Sequence, residues 1–271
     1  MTPPTTPPII ATSDLTRIFG DLTAVAQLHL EIAPGEVFGL LGPNGAGKST
    51  SIKMLTTLLP PSSGTATIAG YDIVRQQAQV RRVIGYVPQA LSADGTLTGY
   101  ENLLIFAKLY DVPRATRRER IAHALEVMEL TEAANKLVRT YSGGMIRRLE
   151  VAQALLHGPL VLFLDEPTVG LDPVARKAVW GSLTALREYT GMTIFLTTHY
   201  MEEADSLCQR VAIMHHGKVA TIGTPEALKD SIGQPDATLD DVFAHYTGHA
   251  LESGGSYRDV SRARRAARRL G

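Results

Sequence analysis

This sequence is short of cysteine, of long apolar runs and of net charge. One cysteine, Cys208, excludes an internal disulfide and suits a reducing compartment. No apolar run approaches the roughly 18 residues that a membrane span requires. If the protein acts at a membrane, another chain must supply the membrane part. The 27 basic and 27 acidic side chains cancel, so nothing global points to nucleic acid. The first residues, MTPPTTPP, hold no basic patch and no apolar stretch. They read as a disordered tail over 1–8 rather than a secretory signal. No internal repeat is visible. What the chain does have is 44% hydrophobic residues over 271 positions, ample for a core.

The most informative stretch is Gly42 to Thr50, GPNGAGKST. It matches the phosphate-binding pattern G-x-x-x-x-G-K-[ST]. The residues before it, Val37 to Leu41, form an apolar run of strand length, and Ser49 to Leu59 has the apolar spacing of a helix. Strand, glycine loop and helix together line up backbone N–H groups as an anion site. Gly42, Gly45 and Gly47 let the backbone approach phosphate oxygens, with Pro43, Asn44, Ala46 and Thr50 completing the loop. Lys48 would reach the β- and γ-phosphates of a nucleotide, and the Ser49 hydroxyl would hold Mg²⁺.

Further strands are expected at Ile9–Leu15, Val25–Ile32, Thr65–Ile68 and Ile84–Val87. From about Thr98 the pattern turns helical, with helices at Tyr100–Tyr110, Arg114–Glu129 and Ser142–Leu156. Strands return at Val161–Leu164, Thr193–Thr197 and Val211–His215, with a helix over 173–189. This alternation predicts an α/β fold with a mainly parallel sheet. An antiparallel β subdomain precedes it and a helical subdomain, about 95–157, is inserted. The main domain is expected over 9–230, with a C-terminal appendage over 231–271.

The strand 160–164 runs into Asp165 and Glu166. Acids at the carboxyl end of a parallel strand sit over the ligand crevice. Asp165 is placed to hold Mg²⁺, and Glu166 to orient or deprotonate an attacking water. His199 follows another strand and could bond a γ-phosphate. Gln89, following Pro88 at the end of the Ile84–Val87 strand, could contact Mg²⁺ or water. Taken singly, each of these residues would read as an ordinary structural or solvated side chain.

Taken in order, these segments resemble the ATP-binding cassette (ABC) family of ATPases. The resemblance covers roughly residues 9 to 230. It rests on GPNGAGKST, Gln89, YSGGM at 141–145, LFLDEPT at 162–168, GLD at 170–172 and His199. Ser142 lies 23 residues before Asp165, and His199 lies 34 after it. The resemblance implies two nucleotide domains paired head to tail as a homodimer. Each ATP, with Mg²⁺, would lie between the phosphate loop of one chain and Ser142, Gly143 and Gly144 of the other. It also implies that Phe19 stacks on adenine and that Asp172 touches the partner chain. Glu166, His199, Lys48 and Gln89 would be catalytic, and Ser49, Gln89 and Asp165 would hold the metal.

The signature departs from the commoner LSGGQ, with Tyr141 for Leu and Met145 for Gln. This variant, with TLDDVF at 238–243, is similar to the daunorubicin-resistance branch of exporter ATPases. It implies a motor subunit at the cytoplasmic face of the plasma membrane, driving a separate multi-span permease. The competing reading is a non-transport ABC ATPase acting on ribosomes or nucleic acid. Such relatives carry two cassettes or a long coiled-coil insertion, and this chain has neither. A non-hydrolysing switch is a third class, opposed by the complete set of catalytic positions.

Arg147 and Arg148, after the signature, read either as packing against a neighbouring domain or as a solvated face. His215-His216-Gly217 reads as a turn between strands rather than a metal site. The end of the chain, 258–271, holds arginines 258, 262, 264, 265, 268 and 269 against one acid, Asp259. It reads as a solvated tail or as a contact to anionic lipid.

Overall fold

The computed structural model describes residues 7–248, so positions 1–6 and the whole arginine-rich tail lie outside the described residues. The first half runs β1 (Ile10–Phe19), β2 (Leu22–Ile32), β3 (Val37–Leu41), α1 (Lys48–Leu55), β4 (Ser63–Ile68), β5 (Tyr71–Asp72), α2 (Gln77–Val83) and β6 (Ile84–Val87). Three helices follow: α3 (Gly99–Leu109), α4 (Arg114–Val127) and α5 (Gly143–Leu155). Then come β7 (Val161–Asp165), α6 (Pro173–Thr190), β8 (Thr193–Thr198) and α7 (Met201–Leu207). The described chain ends with β9 (Arg210–His215), β10 (Lys218–Gly223), α8 (Pro225–Ser231) and α9 (Leu239–Thr247).

Six strands form the central sheet in the order β10-β9-β3-β8-β7-β6. All neighbours pair parallel except β10, which lies antiparallel on the edge. A second, antiparallel sheet has the order β2-β1-β4-β5. The α/β class, the antiparallel N-terminal sheet and the helical insertion are therefore those that the sequence predicts.

The strands β3, β7 and β8 are buried at every position. Both faces of the sheet are covered, so their sequences are continuous apolar runs rather than alternating ones. Side chains still point alternately. Phe38, Leu40, Phe163 and Phe195 enter a core shared with α1 and the antiparallel sheet. Val37, Leu41, Leu162, Leu164, Ile194 and Leu196 enter the core under the helices. Phe38, Phe195 and Phe163 stand in register across three neighbouring strands, with ring centroids 5.8 and 5.4 Å apart. Cys208 is buried, and burial followed by the charges of Glu203 and Glu36 holds its thiol well above the usual range, leaving it inert.

Some elements differ from expectation. Strand β1 continues four residues beyond Leu15 to Phe19. Its register against β2 slips at bulges after Thr12 and Leu15, and Asp14 has φ +51°, so the period of two is broken there. Helix α1 stops at Leu55, short of Leu59, because Thr57 turns left-handed at φ +64°. Helix α2 was not expected. It buries only Val80 and so carries no apolar period. His216 and Gly217, at φ +47° and +77°, form the two-residue turn between β9 and β10. In α9, Leu239, Val242 and Phe243 are buried in the same core as Ile213. Among the described residues, no helix is long and apolar enough to cross a membrane.

Phe195 is 0% exposed at the centre of the ring ladder. Phe195→Ala is expected to destabilise the protein by about 3–5 kcal/mol, because the neighbouring rings cannot collapse into the gap. Urea unfolding measures this, and a loss below about 1 kcal/mol would contradict the packing described.

Candidate nucleotide site

Four segments meet where β3, β6, β7 and β8 end. Leu41 is in register with Thr198, and Asp165 with Thr197, so the loops that follow these strands leave the sheet side by side. The Gly42 N–H donates to the Thr198 carbonyl at 3.3 Å, which draws the glycine loop over β8. A Cβ on Gly42 would strike the Met214 carbonyl. At Gly47, φ +109°, a Cβ would lie 2.5 Å from the Ala24 carbonyl. Only glycine lets the loop pass this close to β9 and β2. The turn at Gly217 pins it further, since its N–H donates to the Ala46 carbonyl and its own carbonyl accepts from Ala26 N–H, both near 2.9 Å.

No side chain caps α1, whose N-cap is Gly47. Its first-turn N–H groups therefore remain available to an anion. Asn44 and Gly45 are exposed at the tip of the loop, and Lys48 is 4% exposed at its base. The Lys48 ammonium donates to the Gly42 and Pro43 carbonyls at 2.8 and 3.1 Å. It also lies 3.0 Å from Glu166 Oε1.

Glu166 is the meeting point. Its backbone sits in the left-handed region at φ +48°, held by N–H bonds to the Thr197 carbonyl and hydroxyl, both 3.0 Å. Its other oxygen, Oε2, accepts from Gln89 Nε2 at 3.3 Å. His199 Nδ1 lies 3.2 Å from the same oxygen, near enough for attraction although its alignment falls short of a hydrogen bond. Burial pushes the Glu166 carboxyl up, but His199 and the Lys48 ammonium outweigh it and hold the group below the usual carboxylate range. Asp165, 3% exposed, accepts from Ser49 Oγ at 3.1 Å and Thr197 Oγ1 at 2.6 Å. Burial, followed by the Asp165 charge, raises the Tyr86 hydroxyl to about 12.

The sequence singled out Lys48, Ser49, Gln89, Asp165, Glu166 and His199, and the fold brings all six together. It does not bring Ser142, Gly143 and Gly144 to them. Among the described residues, no hydrogen bond or ion pair joins 142–144 to 42–50. Ser142 instead caps α5 through a bond from Met145 N–H, and Gly143 and Gly144 face Leu171 and Ala175. Asp172 caps α6, accepting from the N–H groups of Val174 and Ala175 at 2.9 Å. Phe19 is not a core residue: it is 43% exposed, with the Arg17 guanidinium 4.5 Å from its ring centre. The β1–β2 hairpin that carries it reaches the loop through Ala24.

Arg147 is buried beneath the segment that holds Gln89, and Arg148 bonds the Met128 carbonyl and Glu129. Thr197 and Glu203 were not anticipated. Glu203, 0% exposed on α7, accepts from Thr168 Oγ1 at 2.8 Å and Trp180 Nε1 at 2.9 Å. It ties the turn after Glu166 to α6, and burial raises its pKa.

A parallel strand, a glycine loop, an uncapped helix and an acid at the end of β7, two strands away from β3 in the sheet, define a P-loop nucleoside triphosphatase. The comparisons narrow this class. The profile of the ABC transporter family matches residues 25–169. The chain is 46% identical over 224 residues to the daunorubicin/doxorubicin resistance ATP-binding protein DrrA of Streptomyces peucetius, covering 83% of this chain and 68% of that protein. It is 41% identical to the linearmycin resistance ATP-binding protein LnrL of Bacillus subtilis, covering 83% and 72%. A solved structure of an ATP-binding subunit of an ABC transporter superposes with TM-score 0.76 at 28% identity, covering 88% of this chain and 99% of that one. The chain belongs to the ABC transporter family, and it is an ATP-binding ATPase of the ABC type.

Because the folded Glu166 pKa is lowered, the ionised carboxylate stabilises the fold above the ordinary carboxylate range. That contribution is lost as pH falls through the lowered folded value. Glu166→Gln is therefore expected to lose less stability than the parent chain between about pH 5 and pH 3. Denaturant unfolding at several pH values tests this, and parallel curves would contradict it.

Proposed function

We propose that this chain is the motor subunit of an exporter, hydrolysing ATP to drive a drug-like or amphiphilic compound through a separate multi-span permease. It works as a peripheral subunit at the cytoplasmic face of the plasma membrane, in a homodimer of nucleotide-binding domains. The resistance relatives of S. peucetius and B. subtilis support the exporter assignment. The motor assignment rests on one observation: Lys48, Gln89 and His199 all reach the buried Glu166, at 3.0, 3.3 and 3.2 Å.

In this reading Phe19 stacks on adenine, with Arg17 on one side of its ring. Residues Gly42 to Thr50 surround the phosphates with N–H groups. Lys48 exchanges Glu166 and the loop carbonyls for β- and γ-phosphate oxygens. That exchange frees Glu166, ionised at neutral pH, to accept a proton from the attacking water. His199 bonds the γ-phosphate, and Gln89 holds the water on the other side of Glu166. Ser142, Gly143 and Gly144 of the second copy present the N-terminus of α5 to the same phosphate. Ser49, Asp165 and Gln89 supply the hard oxygen donors that suit Mg²⁺, and the first two already lie 3.1 Å apart. Bound there, Mg²⁺ would neutralise charge developing on the phosphate oxygens.

Glu166→Gln is expected to keep ATP binding, to lose turnover by about 100-fold or more, and to accumulate as an ATP-bound dimer on size exclusion. Undiminished turnover would remove Glu166 as the base. Affinity purification from gently solubilised native membranes is expected to bring down one multi-span permease. Recovery of ribosomal proteins or nucleic acid without a membrane protein would overturn the exporter reading.

A further inference from the structure

The strand β6 ends at Val87, and the chain then runs without regular structure to the start of α3. Gln89 lies in this segment. Its backbone has no ladder to hold it, yet its side chain must arrive at Glu166. Two charged residues of α5 hold it instead. Arg147 is 2% exposed and uses its guanidinium as a fork, Nη1 donating to the Pro88 carbonyl at 2.7 Å and Nη2 to the Gln89 carbonyl at 2.8 Å. Glu150, one turn further on and 3% exposed, pairs with Arg147 at 3.0 Å. Its other oxygen accepts from the N–H of Ser92, and from the Ser92 hydroxyl at 3.2 Å. The segment is thus gripped on both sides of Gln89.

A buried ion pair is a weak source of stability, since apolar residues of the same volume often do as well. What a rigid fork offers is geometry. Arg147 lies four residues after Gly143, so it stands on the same helix face one turn beyond the helix N-terminus. A shift of that N-terminus is carried through Arg147 and Glu150 to the backbone of 88–92, and from there to the Gln89 amide.

We propose that Arg147 and Glu150 are positioning residues for hydrolysis, setting Gln89 against Glu166 according to where α5 sits. A chain whose α5 is drawn to a second copy's nucleotide would thereby adjust its own Gln89. The proposal rests on the roles assigned to Gln89 and Glu166 above.

The test uses the full chain with Mg²⁺ and ATP. Arg147→Lys keeps a charge beside Glu150 but loses the fork. It is expected to lower kcat by about tenfold and to raise the half-saturating Mg²⁺ concentration, as loss of outer-shell support does. The KM for ATP and the melting temperature should stay near those of the parent. Because both changes act through one contact, Arg147→Lys with Gln89→Ala should turn over no more slowly than Gln89→Ala alone. If Arg147→Lys does not fold, Arg147→Met with Glu150→Gln removes both buried charges and is read the same way. Parental kcat in a folded clamp variant, or losses that multiply in the combination, would overturn the clamp. Parental turnover in both Gln89→Ala and Glu166→Gln would overturn the site assignment itself, which separates the two failures.

Discussion

A carboxylate at 4% exposure has to be surrounded by donors and cations, and Glu166 is the group around which this molecule is arranged. Its partners come from distant parts of the chain. Lys48 comes from the glycine loop, Gln89 from the end of β6, and His199 from the end of β8. Its backbone is held left-handed by Thr197. None of these segments could move far without leaving a buried charge unpaired. Strand pairing aligns these four strand ends, and the cost of an unpaired buried charge opposes their separation.

The sheet makes the convergence possible. Parallel strands bring all their carboxyl ends to one edge, and burial on both faces fixes their register against slippage. Two further buried acids carry the order outward from that edge. Glu203 joins the turn after Glu166 to α6 through Thr168 and Trp180. Glu150, with Arg147, joins the segment around Gln89 to α5. The helices that cover the sheet are therefore tied to the site by polar contacts as well as by apolar packing. Each contact links one helix to one segment at that edge.

Sequence reading failed in two ways, at local irregularities and at pairings between distant segments. The end of β1 is bulged, so alternation stops before the strand does. Helix α2 buries one residue and offers no period. Thr197 looks like any strand threonine until the register sets it against Asp165 at 2.6 Å. Arg147 and Arg148 are adjacent in sequence, and no periodicity argument told the buried one from the partly exposed one.

By itself the sequence determined the fold class and the identity of the six residues that gather at the edge. The glycine loop, the apolar strands and the acids at their ends are local signals, readable within about ten residues, because backbone sterics and side-chain period act over that range. Only the tertiary structure decided which partners each charge has. It turned Arg147 inward onto the Pro88 and Gln89 carbonyls, placed Thr197 beneath both acids, and closed Lys48 onto Glu166. Those contacts join residues separated by tens to more than a hundred positions. They depend on strand register and helix placement, which no short window of sequence contains.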